Sequence, residues 1–262
     1  MTARFAPVAT LPVYRRLWAA QQLGDYHLLI ATEILKDPVG WKAFWGLQPA
    51  VGRFIIMDNG LIETGIPTSP EALRTAARLV NANCIVLPDK LGDFRETRRL
   101  ARAALTRKLD FPRMGVVQGR TMLEVADCIR FYRAHSVEYL SVPRVMVSIF
   151  GSRTPIIDLI NESRSGDQIH LLGFSDNLYD DMRCTALPNV MGIDSATPLW
   201  IAWQPLREYL PLVPPRDTRV AYGSRPSDYW NYVPGDDFDI AVANVQKVRS
   251  WIARAAQGAL LG

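Results

Sequence analysis

The sequence predicts a (β/α)8 TIM barrel in the α/β class, and three observations carry that expectation. Short apolar runs rich in β-branched residues recur along the chain. Helical stretches separate them, and the 262 residues suffice for eight such repeats in a single domain over 1–262. Near-continuous apolar runs imply burial on both faces, as in a parallel sheet covered by helices.

In order, the runs are His27–Ala31 (HLLIA), Phe54–Met57 (FIIM), Cys84–Leu87 (CIVL) and Met114–Val117 (MGVV). Tyr139–Val142 (YLSV), Ile169–Leu172 (IHLL) and Val190–Ile193 (VMGI) follow, with Arg219–Tyr222 (RVAY) as a weaker eighth. Thr68-Ser69-Pro70-Glu71 reads as a cap with proline in the first turn, opening a helix over EALRTAARLVNA. Phe94–Leu105 and Thr121–His135 read as the next helices, the second with Leu123, Ala126, Ile129 and Arg130 flanking Phe131. Irregular loops follow the seventh run, in the proline-rich stretch Pro198–Gly235. A C-terminal helix, about Phe238–Ala255, then places Ala241, Val245, Val248 and Ile252 on one stripe. The alternative is an open doubly wound sheet. Its first turn is usually glycine-rich, and TEILKDPVG is not.

Composition excludes several classes. Apolar residues at 48% and charged residues at 21% describe an ordinary globular chain rather than a disordered one. The three cysteines, Cys84, Cys128 and Cys184, are odd in number and share no short spacing, so neither a disulfide framework nor a CxxC zinc site is expected. No apolar run approaches the ~20 residues that span a bilayer. The N-terminal stretch shows no signal peptide, so a reducing cytoplasm is the expected compartment, that of the host if the protein is viral. A net charge of +4 leans weakly toward polyanionic partners.

In such a barrel the chemistry stands at the carboxyl ends of the strands. FIIM is followed by Asp58, CIVL by Pro88-Asp89, MGVV by Gln118-Gly119 and VMGI by Asp194. One such residue alone is a helix cap. Four in equivalent places suggest a shared site of three carboxylates and an amide. That set suits a Mg-type oxygen site. It equally suits glycosyl transfer, with one carboxylate attacking an anomeric carbon, another moving protons, and a third beside a carboxamide reading a purine edge. The residues alone leave both open.

The order and spacing of MDNG (57–60), PD (88–89), VVQG (116–119), YLSV (139–142), HLLG (170–173) and MGIDSATP (191–198) resemble the tRNA-guanine transglycosylase family, over about residues 27–198. The resemblance implies a barrel enzyme that exchanges guanine in a nucleic acid for a 7-deazaguanine, without a redox or nucleotide cofactor. It implies Asp194 as the nucleophile at C1′, Asp58 as the acid/base, and Asp89 with Gln118 as readers of the base, with Asn59 and Gly119 adjoining. No Cys or His follows Cys184, so the family's zinc site (three Cys, one His) is missing, and no metal is expected. The family's Ser-Gly-Gly-Phe-Gln run is here Asn59-Gly60-Leu61-Ile62-Glu63, which lacks the aromatic that packs on the base. His170 is one candidate replacement. Val-Gly-Glu reads Val142-Pro143-Arg144, and an Arg there suits a neutral base such as 7-cyano-7-deazaguanine (preQ0) better than an aminomethyl cation. The short chain and absent zinc look most like the DNA-modifying branch encoded by some phages. The competing readings are a tRNA acceptor, a non-catalytic nucleic-acid-binding subunit and a Mg-dependent small-molecule enzyme. A homodimer is the candidate assembly.

Two basic segments are candidate nucleic-acid contacts. Arg95, Arg98, Arg99 and Arg102 share a helix face that tracks phosphates or is simply solvated. In Tyr222–Tyr232, Arg225, Tyr229 and Trp230 interleave charge with rings, as in loops that stack bases, or pack the C-terminal element on the barrel. His27 and His135 read as structural, and Cys84 and Cys128 as core thiols. Glu63 reads as a helix-start carboxylate or a support for Asp58.

Overall fold

The structure, a computed structural model, describes residues 2–48, 52–107, 110–163, 166–203, 206–217 and 225–259. Eight parallel strands, three to six residues long, form the barrel wall: β1 (Arg4–Pro7), β2 (Tyr26–Ile30), β3 (Phe54–Asp58), β4 (Cys84–Val86), β5 (Arg113–Val116), β6 (Tyr139–Pro143), β7 (Gln168–Leu172) and β8 (Val190–Ser195). Their order is β1-β8-β7-β6-β5-β4-β3-β2, and β1 lies against β2, so the sheet is nearly closed. This is the expected (β/α)8 architecture. Each of the seven apolar runs forms a strand within two residues of its expected bounds.

The eighth strand comes from the other end of the chain. Arg219–Tyr222 lies outside the described residues, and the wall is completed by β1, whose register pairs Ala6 with Asp194. The segment RFAP escapes a search for apolar runs because it opens on an arginine and closes on a proline. Arg4 is accommodated because its guanidinium lies 4.6 Å from the Tyr26 ring centroid. The C-terminal helix Phe238–Ala256 follows the strand of the seventh apolar run, as expected, and β1 makes that strand the eighth in chain order. It buries Ala241, Val245, Val248 and Ile252 as expected, together with Trp251, and packs on β1 and on the helices Leu178–Thr185 and Thr197–Trp200.

Three outer helices open on side-chain caps, the expected one at Ser69 among them. Ser69, Asp93 and Thr121 each accept a backbone N–H three residues on, opening Pro70–Val80, Phe94–Leu105 and Met122–Ala134. The buried stripe of Met122–Ala134 is shifted from the expected one. Leu123, in its first turn at the barrel rim, is 78% exposed, and Val125, Cys128, Ile129, Phe131 and Tyr132 face the core. His135 caps that helix, with Nδ1 2.8 Å from the Phe131 carbonyl, and His27 is buried in β2 against Trp45. All three cysteines are buried and free. No helix among the described residues is long and apolar enough to cross a membrane.

Two glycines admit tyrosine rings. A Cβ on Gly115 would stand 2.6 Å from the Tyr132 ring, and one on Gly192 would stand 2.4 Å from Tyr26 Cε1 and 2.6 Å from the Arg4 carbonyl. The second is the more severe, because a backbone atom cannot swing aside. Gly192→Ala is expected to lower stability by about 1–3 kcal/mol or more through overpacking. Urea unfolding monitored by circular dichroism measures it, and an unchanged midpoint would contradict this packing.

Candidate active site at the barrel mouth

The strand-end polar residues meet at one end of the barrel, because parallel strands present all their carboxyl ends to the same side. Asp58 closes β3 beside Ile30, and Asp194 lies in β8 beside Ala6. Only β1 and β2 separate them around the wall.

Asp194 is held from two directions. Its Oδ1 accepts from His170 Nε2 and from the Gly173 N–H, each at 2.9 Å, and its side chain is 9% exposed. No hydrogen bond among the described residues falls on Oδ2. On the far side, His170 Nδ1 lies 2.8 Å from the Tyr26 hydroxyl. Burial keeps that phenol protonated well above its usual range, so it donates to Nδ1 and leaves Nε2–H to donate to the carboxylate. His170 is fully buried beneath Asp194. Its expected place as a packing surface for a base is therefore corrected. It points from the middle of β7 into the barrel and orients the carboxylate.

The loop bearing Gly173 is anchored in turn. Arg153, fully buried, donates through Nη2 to the carbonyls of Leu172 and Gly173. Its Nη1 lies 3.3 Å from Asp181 Oδ1, while Asp181 Oδ2 accepts from the Ser175 N–H at 2.6 Å. Gly173 adopts φ +69°, which suits glycine. Neither Tyr26 nor the Arg153–Asp181 pair carries a sequence signal, since their partners are distant in the chain. Gly173 is visible in HLLG.

Across the mouth, Asn59, Asp89 and Gln118 form a buried row. Asn59 Nδ2 donates to Asp89 Oδ1 at 3.0 Å and Gln118 Nε2 donates to Asp89 Oδ2 at 2.8 Å, while Gln118 Oε1 accepts from the Gly92 N–H at 2.8 Å. Burial raises the Asp89 carboxyl to about 6, against the opposing donors Asn59 and Gln118. Gln118 is fully buried, so in this arrangement it acts by holding Asp89. Gly119 permits a close approach. A Cβ there would stand 2.9 Å from Glu124 Cβ and from the Val125 nitrogen.

Asp58 Oδ2 accepts from the Gly60 N–H at 2.8 Å. Its carboxyl is pushed well above the ordinary range, chiefly by burial and next by the charge of Glu63. The Gly60 N–H opposes this, and Asp194 and Asp89 add smaller upward pushes. Two carboxyls at one mouth thus have separated environments. Asp58 favours its proton, whereas Asp194 has two donors on one oxygen and, among the described residues, no bond on the other.

The remaining candidates divide. Arg144 is exposed on the adjoining lip, with its Cδ 3.6 Å from the place of a Gly173 Cβ. Arg95, Arg98, Arg99 and Arg102 are all exposed on the outer wall. Arg99 pairs with Glu96, and Arg98 and Arg102 lie over the rings of Phe94 and Phe131. Arg225 reaches the mouth, with its Nη1 3.4 Å from Glu63 Oε1. Trp230 is partly buried beside it. Tyr229 is fully buried and donates its hydroxyl to the Val8 carbonyl at 2.7 Å, so its expected role as a stacking surface is corrected to packing on β1's exit. Residues 222–224 of that loop lie outside the described residues.

Among the described residues, no three of His, Cys, Asp and Glu stand together as a metal-holding group. No family model matches the chain, and none of the curated proteins matches it.

Proposed function

We propose that this chain is a base-exchanging glycosyltransferase of the tRNA-guanine transglycosylase type. Its substrates are guanine in DNA and a free 7-deazaguanine such as preQ0. The observation that carries the reading is the contrast between the two carboxyls, with Asp194 anchored through Oδ1, its Oδ2 unbonded among the described residues, and Asp58 partly buried in a setting that favours its proton. Asp194 Oδ2 attacks C1′ as the C1′–N bond breaks, and Asp58 gives its proton to the departing guanine. The incoming base returns a ring proton to Asp58 as it displaces Asp194. Two inversions at C1′ retain configuration. Asp89 accepts the N–H groups of the base edge, and Asn59 and Gln118 hold it for that task. The exposed Arg144 beside Gly173 disfavours a cationic substituent and tolerates a neutral nitrile. The target base reaches this mouth only when extruded from its stack.

The test is incubation with guanine-labelled DNA or tRNA and preQ0, following label release and a covalent adduct. Release from DNA with an adduct is the expected result. Release from tRNA alone would reassign the acceptor, and no release from either would overturn the reading.

Base capture should depend on pH through Asp89. Its carboxyl titrates at about 6, so below that value it is protonated and loses acceptor capacity. Affinity for preQ0 is expected to fall by about tenfold per pH unit on the acid side and to level off above. The linkage to folding has its own sign. A carboxyl raised by burial binds its proton more tightly when folded, so its contribution to stability falls as pH rises from the unfolded value towards 6, then stays flat. Calorimetric titration of the base on either side of pH 6 measures the first effect. An equal slope in Asp89→Asn would place it elsewhere.

A further inference from the structure

Tyr26 opens β2, His170 lies midway along β7 and Asp194 lies near the end of β8. Because the strands are parallel, these three side chains climb from the floor of the barrel to its mouth. The Tyr26 hydroxyl lies 2.8 Å from His170 Nδ1, and His170 Nε2 lies 2.9 Å from Asp194 Oδ1. All three residues are buried, and among the described residues the phenol oxygen has no other hydrogen-bond partner.

The wall is shaped to let them meet. The register between β7 and β8 slips, so that Ile169 pairs with Val190 but His170 with Gly192. A residue without a side chain thereby stands where the Tyr26 ring crosses, since a Cβ on Gly192 would lie 2.4 Å from Tyr26 Cε1. Such irregularities re-aim side chains beside active sites. The ring is further fixed by Phe54, stacked on it at 5.8 Å, and by the Arg4 guanidinium, 4.6 Å from its centroid.

Counting hydrogens decides how the three groups are joined. A ring protonated on Nδ1 alone would set a bare Nε2 against a carboxylate oxygen, two acceptors at 2.9 Å. A ring protonated on both nitrogens would leave the buried phenol hydrogen without an acceptor among the described residues. With one proton, on Nε2, every hydrogen in the chain has its acceptor.

We propose that Tyr26 is a positioning residue for the nucleophile: acting through His170, its hydroxyl fixes the imidazole plane and polarises Nε2–H toward Asp194 Oδ1, so that Oδ2 is the oxygen presented to C1′. Hydrogen bonds in series strengthen one another, so a phenol on Nδ1 makes Nε2–H the better donor. A neutral ring holds the carboxylate without cancelling its charge. The same bond serves both displacements. It holds Oδ1 while Oδ2 bonds to C1′ and the C1′–N bond breaks, and it steadies the carboxylate again when the incoming base expels it. No proton moves along the chain. The inference rests on the reading of Asp194 as the nucleophile.

Tyr26→Phe removes one oxygen and keeps the ring. In this variant kcat for base exchange is expected to fall by about tenfold to a hundredfold, the scale of a slightly misplaced reacting group, with KM for DNA and preQ0 unchanged. His170→Leu should lose at least as much, and adding Tyr26→Phe to it should lower kcat no further, because the phenol acts only through the ring. His170→Gln, whose amide offers one acceptor and one donor, should keep more of kcat than His170→Leu. 15N NMR of the histidine rings in the full chain reads the protonation directly, with His170 assigned by its absence in His170→Leu. Its proton should reside on Nε2, with Nδ1 a bonded acceptor that becomes a free one in Tyr26→Phe. A merely structural hydroxyl would lower the urea midpoint of Tyr26→Phe and leave kcat at the wild-type value, which overturns the proposal. So does a wild-type ring protonated on Nδ1, or a kcat that Tyr26→Phe still lowers in the His170→Leu background. Absence of base exchange in the wild type would overturn the catalytic reading, whereas the ring protonation and its response to Tyr26→Phe judge the hydrogen-bonded chain by themselves.

Discussion

Asp194→Asn is expected to reduce base exchange by roughly 10⁴-fold or more while leaving the chain folded. Losses of this order follow removal of a nucleophile that acts as one unit with its partners. The substitution isolates charge and nucleophilicity from shape. An asparagine Oδ1 can still accept from the Gly173 N–H and from His170 Nε2–H, the two bonds that fix the wild-type side chain. What disappears is the second carboxylate oxygen, to which no donor is bonded among the described residues. The covalent adduct on DNA should vanish along with label release, and the urea midpoint should stay near that of the wild type. Full activity in this variant would end the double-displacement reading. Exchange that persists without any adduct would point to direct displacement of one base by the other.

The strand-end residues were legible in the sequence because a parallel barrel repeats one rule at every strand. An apolar run fixes the wall, and the first polar residue after it faces the mouth. Asp58, Asp89, Gln118 and Asp194 all obey that rule, and the caps Ser69, Asp93 and Thr121 mark helix starts by local chemistry alone. Features that needed distant partners stayed hidden. β1 is a strand because β8 pairs with it, not because RFAP is apolar enough by itself. His170 reads as a surface for a base until Tyr26, 144 positions earlier, is found on its other nitrogen. Tyr229 and Arg225 belong to one aromatic, basic stretch in sequence. Yet one supports β1's exit from below and the other meets Glu63 at the mouth, a division only tertiary packing reveals.

The Arg153–Asp181 pair gives the largest expected effect on folding. Both side chains are fully buried, so a charge left alone there would be poorly solvated, and among the described residues Arg153 Nε has no hydrogen-bond partner. Asp181→Ala removes the counter-charge and also the acceptor for the Ser175 N–H. The expected cost is about 3–5 kcal/mol in urea unfolding, the range for an uncompensated buried ion. The pair as a whole contributes far less than that figure suggests, because desolvating two ions offsets most of their attraction. Replacing both, as Arg153→Met with Asp181→Leu, should therefore be less destabilising than Asp181→Ala alone. That non-additivity is the signature of a coupled pair. The double variant should still impair the site, because the carbonyls of Leu172 and Gly173 lose the guanidinium that fixes the loop and, through the Gly173 N–H, Asp194. A double variant at least as unstable as Asp181→Ala would show that Arg153 acts mainly through its backbone hydrogen bonds. Native stability combined with reduced exchange would identify the pair as a device for holding the nucleophile rather than the fold.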